Sequence, residues 1–183
     1  LHAGLVARTQ LGRVFEVAPA GLRTWLSALR VRQWIKNLLV FLPLLASHRV
    51  AETPLLAAAT LAFVAFGLCA SAVYTANDLV DLPADRRHPA KRRRAFASGR
   101  LSIPAGLAAI PLLVAAGFAV AAALPGAFSA ALGVYLGVNA LYTLALKRVA
   151  LLDVMLLGGM YALRVVAGGL ATGIVVSPWL MGF

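Results

Sequence analysis

Between Leu101 and Leu146 the chain runs for 46 residues without a single Asp, Glu, Lys or Arg. A membrane-spanning helix needs about 20 consecutive apolar residues. This stretch alone therefore holds two spans, with Leu124-Pro125-Gly126 as the tight turn between them. A soluble domain devotes about a quarter of its residues to charge. Here only 13% of 183 residues are charged while 62% are hydrophobic, and the charges fall in clusters. That pattern excludes a soluble globular domain. The expected class is all-α, a polytopic bundle of transmembrane helices. The one cysteine, Cys69, lies in an apolar run and excludes an intrachain disulfide. Leu1 is followed by no apolar leader, so no signal peptide is expected, and the chain reads as a piece of a longer protein.

The net charge of +11 invites a nucleic-acid reading, but the positions of the charges argue against it. Fifteen of the seventeen basic residues lie in three clusters, Arg8 to Lys36, Arg86 to Arg100, and Lys147 with Arg148. Placing all three on the cytoplasmic side obeys the positive-inside rule. Spans are then expected near 34–48, 53–77, 101–124, 126–146 and 150–170, with a sixth beginning at 178–183 and cut off, about five and a half in all. Residues 34–183 form the partial membrane domain of this scheme. Residues 1–33 mix Arg with apolar residues and read as a cytoplasmic tail leading into an interfacial amphipathic helix near 20–33. The expected location is the cell membrane, multi-pass, with membrane lipid as partner and no nucleic acid. Oligomeric state is not legible.

Residues 75–99 read TANDLVDLPADRRHPAKRRRAFASG. Asn77, Asp78, Asp81 and Asp85 would share one ~100° arc if the segment stayed helical. Like charges that close repel one another, so a cation must hold them together. The adjacent Arg residues supply one answer, a loop of ion pairs. Oxygen-only ligands on one face supply another, Mg²⁺, which binds one or two carboxylates together with substrate phosphates. Pro83 cannot sit inside a helix without removing a backbone bond, so the helix is expected to kink or restart between Asp81 and Asp85. The basic half, with Arg86, Lys91, Arg92 and Arg94, carries the side chains that grip phosphate oxygens. The same residues also serve topology and anionic lipid.

This segment resembles the first signature of the UbiA-type intramembrane prenyltransferase superfamily, N-D-x-x-D-x-x-x-D. The extension Arg86-Arg87-His88-Pro89-Ala90-Lys91-Arg92 resembles one branch, the polyprenyl-phosphate phosphoribosyltransferases. LRVRQWIKN (29–37) and YLGVNALYTLALKRVALLDVMLLGGMYALRVVAGG (135–169) point the same way. The chain departs from the branch at Arg30-Val31 and Arg94-Ala95, where Arg-Pro is usual. The resemblance implies a UbiA-like bundle that is only partly present here, its second acidic motif lying beyond Phe183, so that this piece alone would be inactive. It implies Mg²⁺ held by Asn77, Asp78, Asp81 and Asp85, with Asp78, Asp81 and Asp85 as the catalytic acids. It implies phosphoribosyl diphosphate as donor and a polyprenyl phosphate as acceptor, in cell-wall arabinan precursor synthesis. Substrate contacts are expected from Lys36, Asn37, Arg86, His88, Lys91, Arg92 and Arg94, and from Asn139, Tyr142, Lys147, Arg148 and Arg164.

Within the spans, Asn139 and Tyr142 are three apart and share a face, with Tyr135 one turn above Asn139. Helix-to-helix hydrogen bonding accounts for them equally well. Asp153 and Arg164 are about 16 Å apart along one helix and cannot pair, so each is expected to find a partner on another helix or to line a wet cavity. An Arg at mid-bilayer costs about 2.5–3.5 kcal/mol. Gly158-Gly159 and Gly168-Gly169 are expected to permit close backbone approach. Two other functions remain open at this point: prenyl transfer from a polyprenyl diphosphate to an aromatic acceptor, and a non-catalytic membrane scaffold or transport subunit.

Overall fold

The structure is a computed structural model and describes residues 21–144 and 150–177. Every regular element among them is helical: α1 (Leu22–Ala28), an eleven-residue 3₁₀ segment (Val31–Phe41), α2 (Leu42–Ala46), α3 (Thr53–Val80), α4 (Leu82–Arg87), a 3₁₀ turn (Lys91–Arg93), α5 (Ile103–Ala121), α6 (Gly126–Leu144) and α7 (Ala150–Thr172). An all-helical bundle is the arrangement that satisfies every backbone group without water. Among the described residues three stretches are long and apolar enough to cross a membrane, Thr53–Val80, Ile103–Ala121 and Val154–Thr172. α6 has 19 residues and carries Asn139, Tyr142 and Thr143 among its apolar ones. The sixth segment, 178–183, lies outside the described residues.

The N-terminal amphipathic helix is shorter than expected. It ends at Ala28, and Arg30 adopts a left-handed backbone, φ 50°. That conformation is uncommon for a side chain other than Gly, Asn or Asp. Here it turns the chain sharply and sends the Arg30 guanidinium back onto Asp78. The segment expected as a first span near 34–48 is mostly 3₁₀. With three residues per turn, Trp34, Asn37 and Val40 stack on one face against the bundle, while Arg32, Ile35 and Leu38 are exposed on another. The 3₁₀ rise of about 2 Å per residue, continued by α2, carries these sixteen residues over about 30 Å.

Two contacts hold the 3₁₀ segment against α3 and α7. The Trp34 ring lies over Gly67, where a β-carbon would sit 2.6 Å from the indole. Its Nε1–H donates to Ser71 Oγ at 3.0 Å, and the Ser71 hydroxyl donates to the Leu29 carbonyl at 2.7 Å. On the other side a β-carbon on Gly168 would stand 2.0 Å from the Val40 carbonyl oxygen, so only glycine allows this approach. Among the described residues nothing stands within 4 Å of a β-carbon on Gly158 or Gly159. The expected close approach is therefore found at the second glycine pair and not at the first.

The central core joins Val40, Phe66, Cys69, Ala121, Phe128, Leu132, Tyr135 and Ala167 from five elements. A second cluster, Ala28, Leu82, Ala95, Phe96 and Leu101, closes the end of the bundle that carries the acidic motif. Phe96 packs onto Gly106 of α5. The basic loop is thereby pinned through its apolar residues rather than left as a solvated charge run. At the opposite end Arg49 donates two hydrogen bonds to Glu52, at 2.6 and 2.7 Å, and holds that carboxyl below the usual carboxylate range. The pair is exposed and contributes little to stability.

Candidate functional site

α3 ends at Val80 and α4 begins at Leu82, with Pro83 in its first turn. Proline is tolerated there because that N–H has no intrahelical partner in any case. The restart re-aims the acids. Asp78 and Asp85 are buried, 5% and 2% exposed, and converge on one guanidinium. Arg94 Nη1 lies 3.2 Å from Asp78 Oδ1 and 2.6 Å from Asp85 Oδ2. Arg30 makes a second ion pair with Asp78, its guanidinium 5.3 Å from the centre of the Tyr74 ring. Asp81 stands at the break itself, half-buried. The continuous arc of four residues is thus replaced by a pair bridged through a cation.

Arg94 is in place because the next two residues, Ala95 and Phe96, are buried at 4% and 1% exposure. Arg86, His88, Lys91 and Arg92 are exposed. His88 serves the turn: its Nδ1 accepts from the N–H groups of Ala90 and Lys91 at 3.2 and 3.3 Å. Arg30 was not among the expected site residues. Its signal in the sequence was membership of the LRVRQWIKN stretch, and as one cation in a basic cluster it reads as a topology signal.

Behind this rim lies a cavity of about 160 Å³ between the 3₁₀ segment, α3, α6 and α7, lined by Lys36, Asn77, Asn139, Tyr142 and Arg164 together with Tyr74, Tyr135 and Tyr161. Five residues expected from sequence to contact substrate or metal meet here. Asn77 turns away from the acids and accepts from Thr143 Oγ1 at 2.7 Å. Asn139 Nδ2 donates to the Tyr135 carbonyl one turn earlier, at 2.7 Å. Arg164 finds its partner on another element, as a buried Arg must: Nε donates to Asn37 Oδ1 at 2.9 Å. Beside the cavity, sharing Asn77 and Asn139, an apolar groove of about 310 Å³ runs between α3, α5 and α6 past Ala76, Val80, Ile110 and Leu136. Lys147, Arg148 and the side chain of Asp153 lie outside the described residues.

Among the described residues no three or more acidic, His or Cys side chains gather as a metal cage. The donor chemistry nevertheless suits a hard cation. Asp78 Oδ1 and Asp85 Oδ2 flank one positively charged nitrogen, and two carboxylates completed by substrate oxygens are the usual Mg²⁺ arrangement.

Residues 38–183 match the model of the UbiA prenyltransferase family. The chain is 44% identical over 161 residues to "Uncharacterized protein y4nM" of Sinorhizobium fredii, covering 88% of this chain and 31% of that protein. It is 38% identical over 160 residues to "Decaprenyl-phosphate phosphoribosyltransferase" of Mycobacterium tuberculosis, covering 84% of this chain and 52% of the relative. It is 36% identical over 160 residues to "Nodulation protein NoeC" of Azorhizobium caulinodans, covering 87% and 52%. The chain spans about half the length of the last two and about a third of the first.

Proposed function

The chain belongs to the UbiA prenyltransferase family, and on that premise we propose that it forms the donor-binding part of an Mg²⁺-dependent membrane transferase. The reaction is transfer of 5-phosphoribosyl from phosphoribosyl diphosphate to a polyprenyl phosphate. The observation that carries this reading is the convergence of Asp78 and Asp85 on a single cationic nitrogen, beside a cavity that holds Arg164 and Lys36. The relatives named as decaprenyl-phosphate phosphoribosyltransferases support it.

Asp78 and Asp85 would hold the metal, with Asp81 at the helix break between them, while Asn77, bonded to Thr143, faces the cavity. Bound there, Mg²⁺ supplies neutralisation of charge on the departing diphosphate. In the reaction the bond between the anomeric carbon and the diphosphate oxygen breaks, and a bond from that carbon to an acceptor phosphate oxygen forms. The diphosphate leaves with the electron pair of the broken bond. Arg30 and Arg94, already at the rim, stabilise the charge that develops on it, an electrostatic contribution made by preplaced donors. The acceptor phosphate is already anionic, so no strong base is required. The exposed cations of the loop, Arg86, Lys91 and Arg92, draw anionic substrate toward the rim. The apolar groove takes the isoprenoid chain by burial.

The second reading, prenyl transfer from a polyprenyl diphosphate to an aromatic acceptor, uses the same rim and groove. Sealed vesicles separate the two and test the orientation together. Inverted vesicles carrying the full-length protein should move label from added phosphoribosyl diphosphate into lipid, because the rim faces the cytoplasm. Right-side-out vesicles should not. Incorporation only in right-side-out vesicles would refute the orientation. Prenylation of an aromatic acid in place of lipid labelling would favour the second reading.

A further inference from the structure

Arg164 is 5% exposed, and its partners among the described residues are all neutral. Its Nη1 donates to the Met160 carbonyl at 2.7 Å, Nη2 reaches the Tyr135 hydroxyl at 3.5 Å, and Nε is spent on Asn37. The Tyr135 and Tyr161 ring centres lie 5.1 and 5.7 Å from the guanidinium carbon. Lys36 opens onto the same cavity and has no carboxylate partner among the described residues. Of the acids that follow the cavity-lining Asn77, Asp78 is engaged with Arg30 and Arg94, Asp85 is engaged with Arg94, and Asp81 is not free.

A cation kept from water without an anion is costly, and within a membrane it marks a site that something charged visits. Asn37 adds to the imbalance. It is 1% exposed, and its Nδ2 is a buried donor with no acceptor, although nearly all buried donors are paired. A buried cation matched only by neutral groups and an unmatched amide, with the exposed Lys36 at the mouth of the same cavity, call for an anion with several acceptor oxygens. The cavity is separate from the metal rim, because Asn77 lines the one while Asp78 faces the other.

We propose that the cavity binds a phosphomonoester through Arg164 and Lys36, as a second anionic group distinct from the diphosphate at the Asp78–Asp85 rim. As a step in phosphoryl-sugar transfer this rests on the function proposed above. The phosphomonoester is either the sugar phosphate of the donor or the head group of the acceptor lipid, and the experiment tells these apart.

Titration calorimetry on the purified full-length protein uses three probes: diphosphate with Mg²⁺, ribose 5-phosphate, and farnesyl phosphate with farnesol as its uncharged control. One phosphomonoester should bind, and Lys36→Gln should weaken it about tenfold or more, the size expected for a charged hydrogen bond. Diphosphate affinity should stay within about twofold. Arg164→Lys, which keeps the charge should Arg164→Gln fail to fold, should lose affinity for the same probe and no other. Binding of ribose 5-phosphate assigns the cavity to the donor. Binding of farnesyl phosphate but not farnesol assigns it to the acceptor. The inference is overturned if neither phosphomonoester binds, or if Lys36→Gln weakens diphosphate equally. Failure of diphosphate alone, with the Lys36 effect intact, would remove the transferase reading and leave the anion site standing.

Discussion

Replacing Asp85 by Asn is expected to lower transfer by the full-length protein about 100-fold or more, with the protein still recovered folded from membranes. Asn has the shape of Asp without its charge. At a site 2% exposed it leaves Arg94 facing Asp78 alone and removes half of the cation-binding pair. Loss of one preplaced charged group at a reacting centre commonly costs two to three orders of magnitude. Adjacent arginines separate this effect from general loss of charge. Arg94→Gln should be nearly as damaging, because Arg94 bridges both acids. Arg93→Gln should stay within about twofold, because Arg93 is exposed. Lipid-extractable label from phosphoribosyl diphosphate measures all three. Equal losses at Arg93 and Arg94 would mean that the loop acts only through net charge.

Gly168→Ala is expected to destabilise the bundle by about 1–3 kcal/mol or more, despite being a change toward a better helix former. In an exposed helix, Gly→Ala gains about 1 kcal/mol. At position 168 the new methyl group would stand 2.0 Å from the Val40 carbonyl oxygen, and backbone cannot yield as a flexible side chain does, so overpacking outweighs the gain. The 3₁₀ segment must then shift, and Asn37, the partner of Arg164, moves with it. Gly158→Ala, on the same helix but with no described residue within 4 Å of its β-carbon, is the matched control and should be neutral or slightly stabilising. Thermal unfolding of the two variants in detergent gives the comparison. A stable Gly168→Ala protein would mean that Val40 does not sit against α7.

Much of this architecture was legible because the bilayer imposes simple rules. The charge-free run from Leu101 to Leu146 contains α5, a turn and α6, and Pro83 signalled a kink or restart between Asp81 and Asp85, where the new helix begins at Leu82. The 3₁₀ segment was not legible. Its inner face (Trp34, Val40) and outer face (Ile35, Leu38) are both apolar, so no polar stripe reveals a three-residue period. The rim was half legible. Spacing marked the acids, but an ideal helix would have aligned all four residues, whereas the break at Asp81 turns Asp78 and Asp85 together and leaves Asn77 bonded to Thr143 of α6. Sorting the cations needed tertiary structure. Arg93 and Arg94 are indistinguishable by type and neighbourhood, and only the burial of Ala95 and Phe96 turns Arg94 inward. Arg30 reaches Asp78 across 48 positions of sequence through a left-handed turn that no local signal announces. The fit of the acids to a hard cation and of the cavity to an anion follows from those long-range placements.

The central claim is that the acid pair and its arginines form a metal-assisted site for phosphoribosyl diphosphate. The most direct measurement is binding of that compound to purified full-length protein, with Mg²⁺ and with excess chelator. The account predicts saturable binding that weakens at least about tenfold on chelation and is lost in Asp78→Asn/Asp85→Asn. Binding that is unchanged by chelator and by the double substitution would contradict it, as would no binding of phosphoribosyl diphosphate beside tight binding of a prenyl diphosphate.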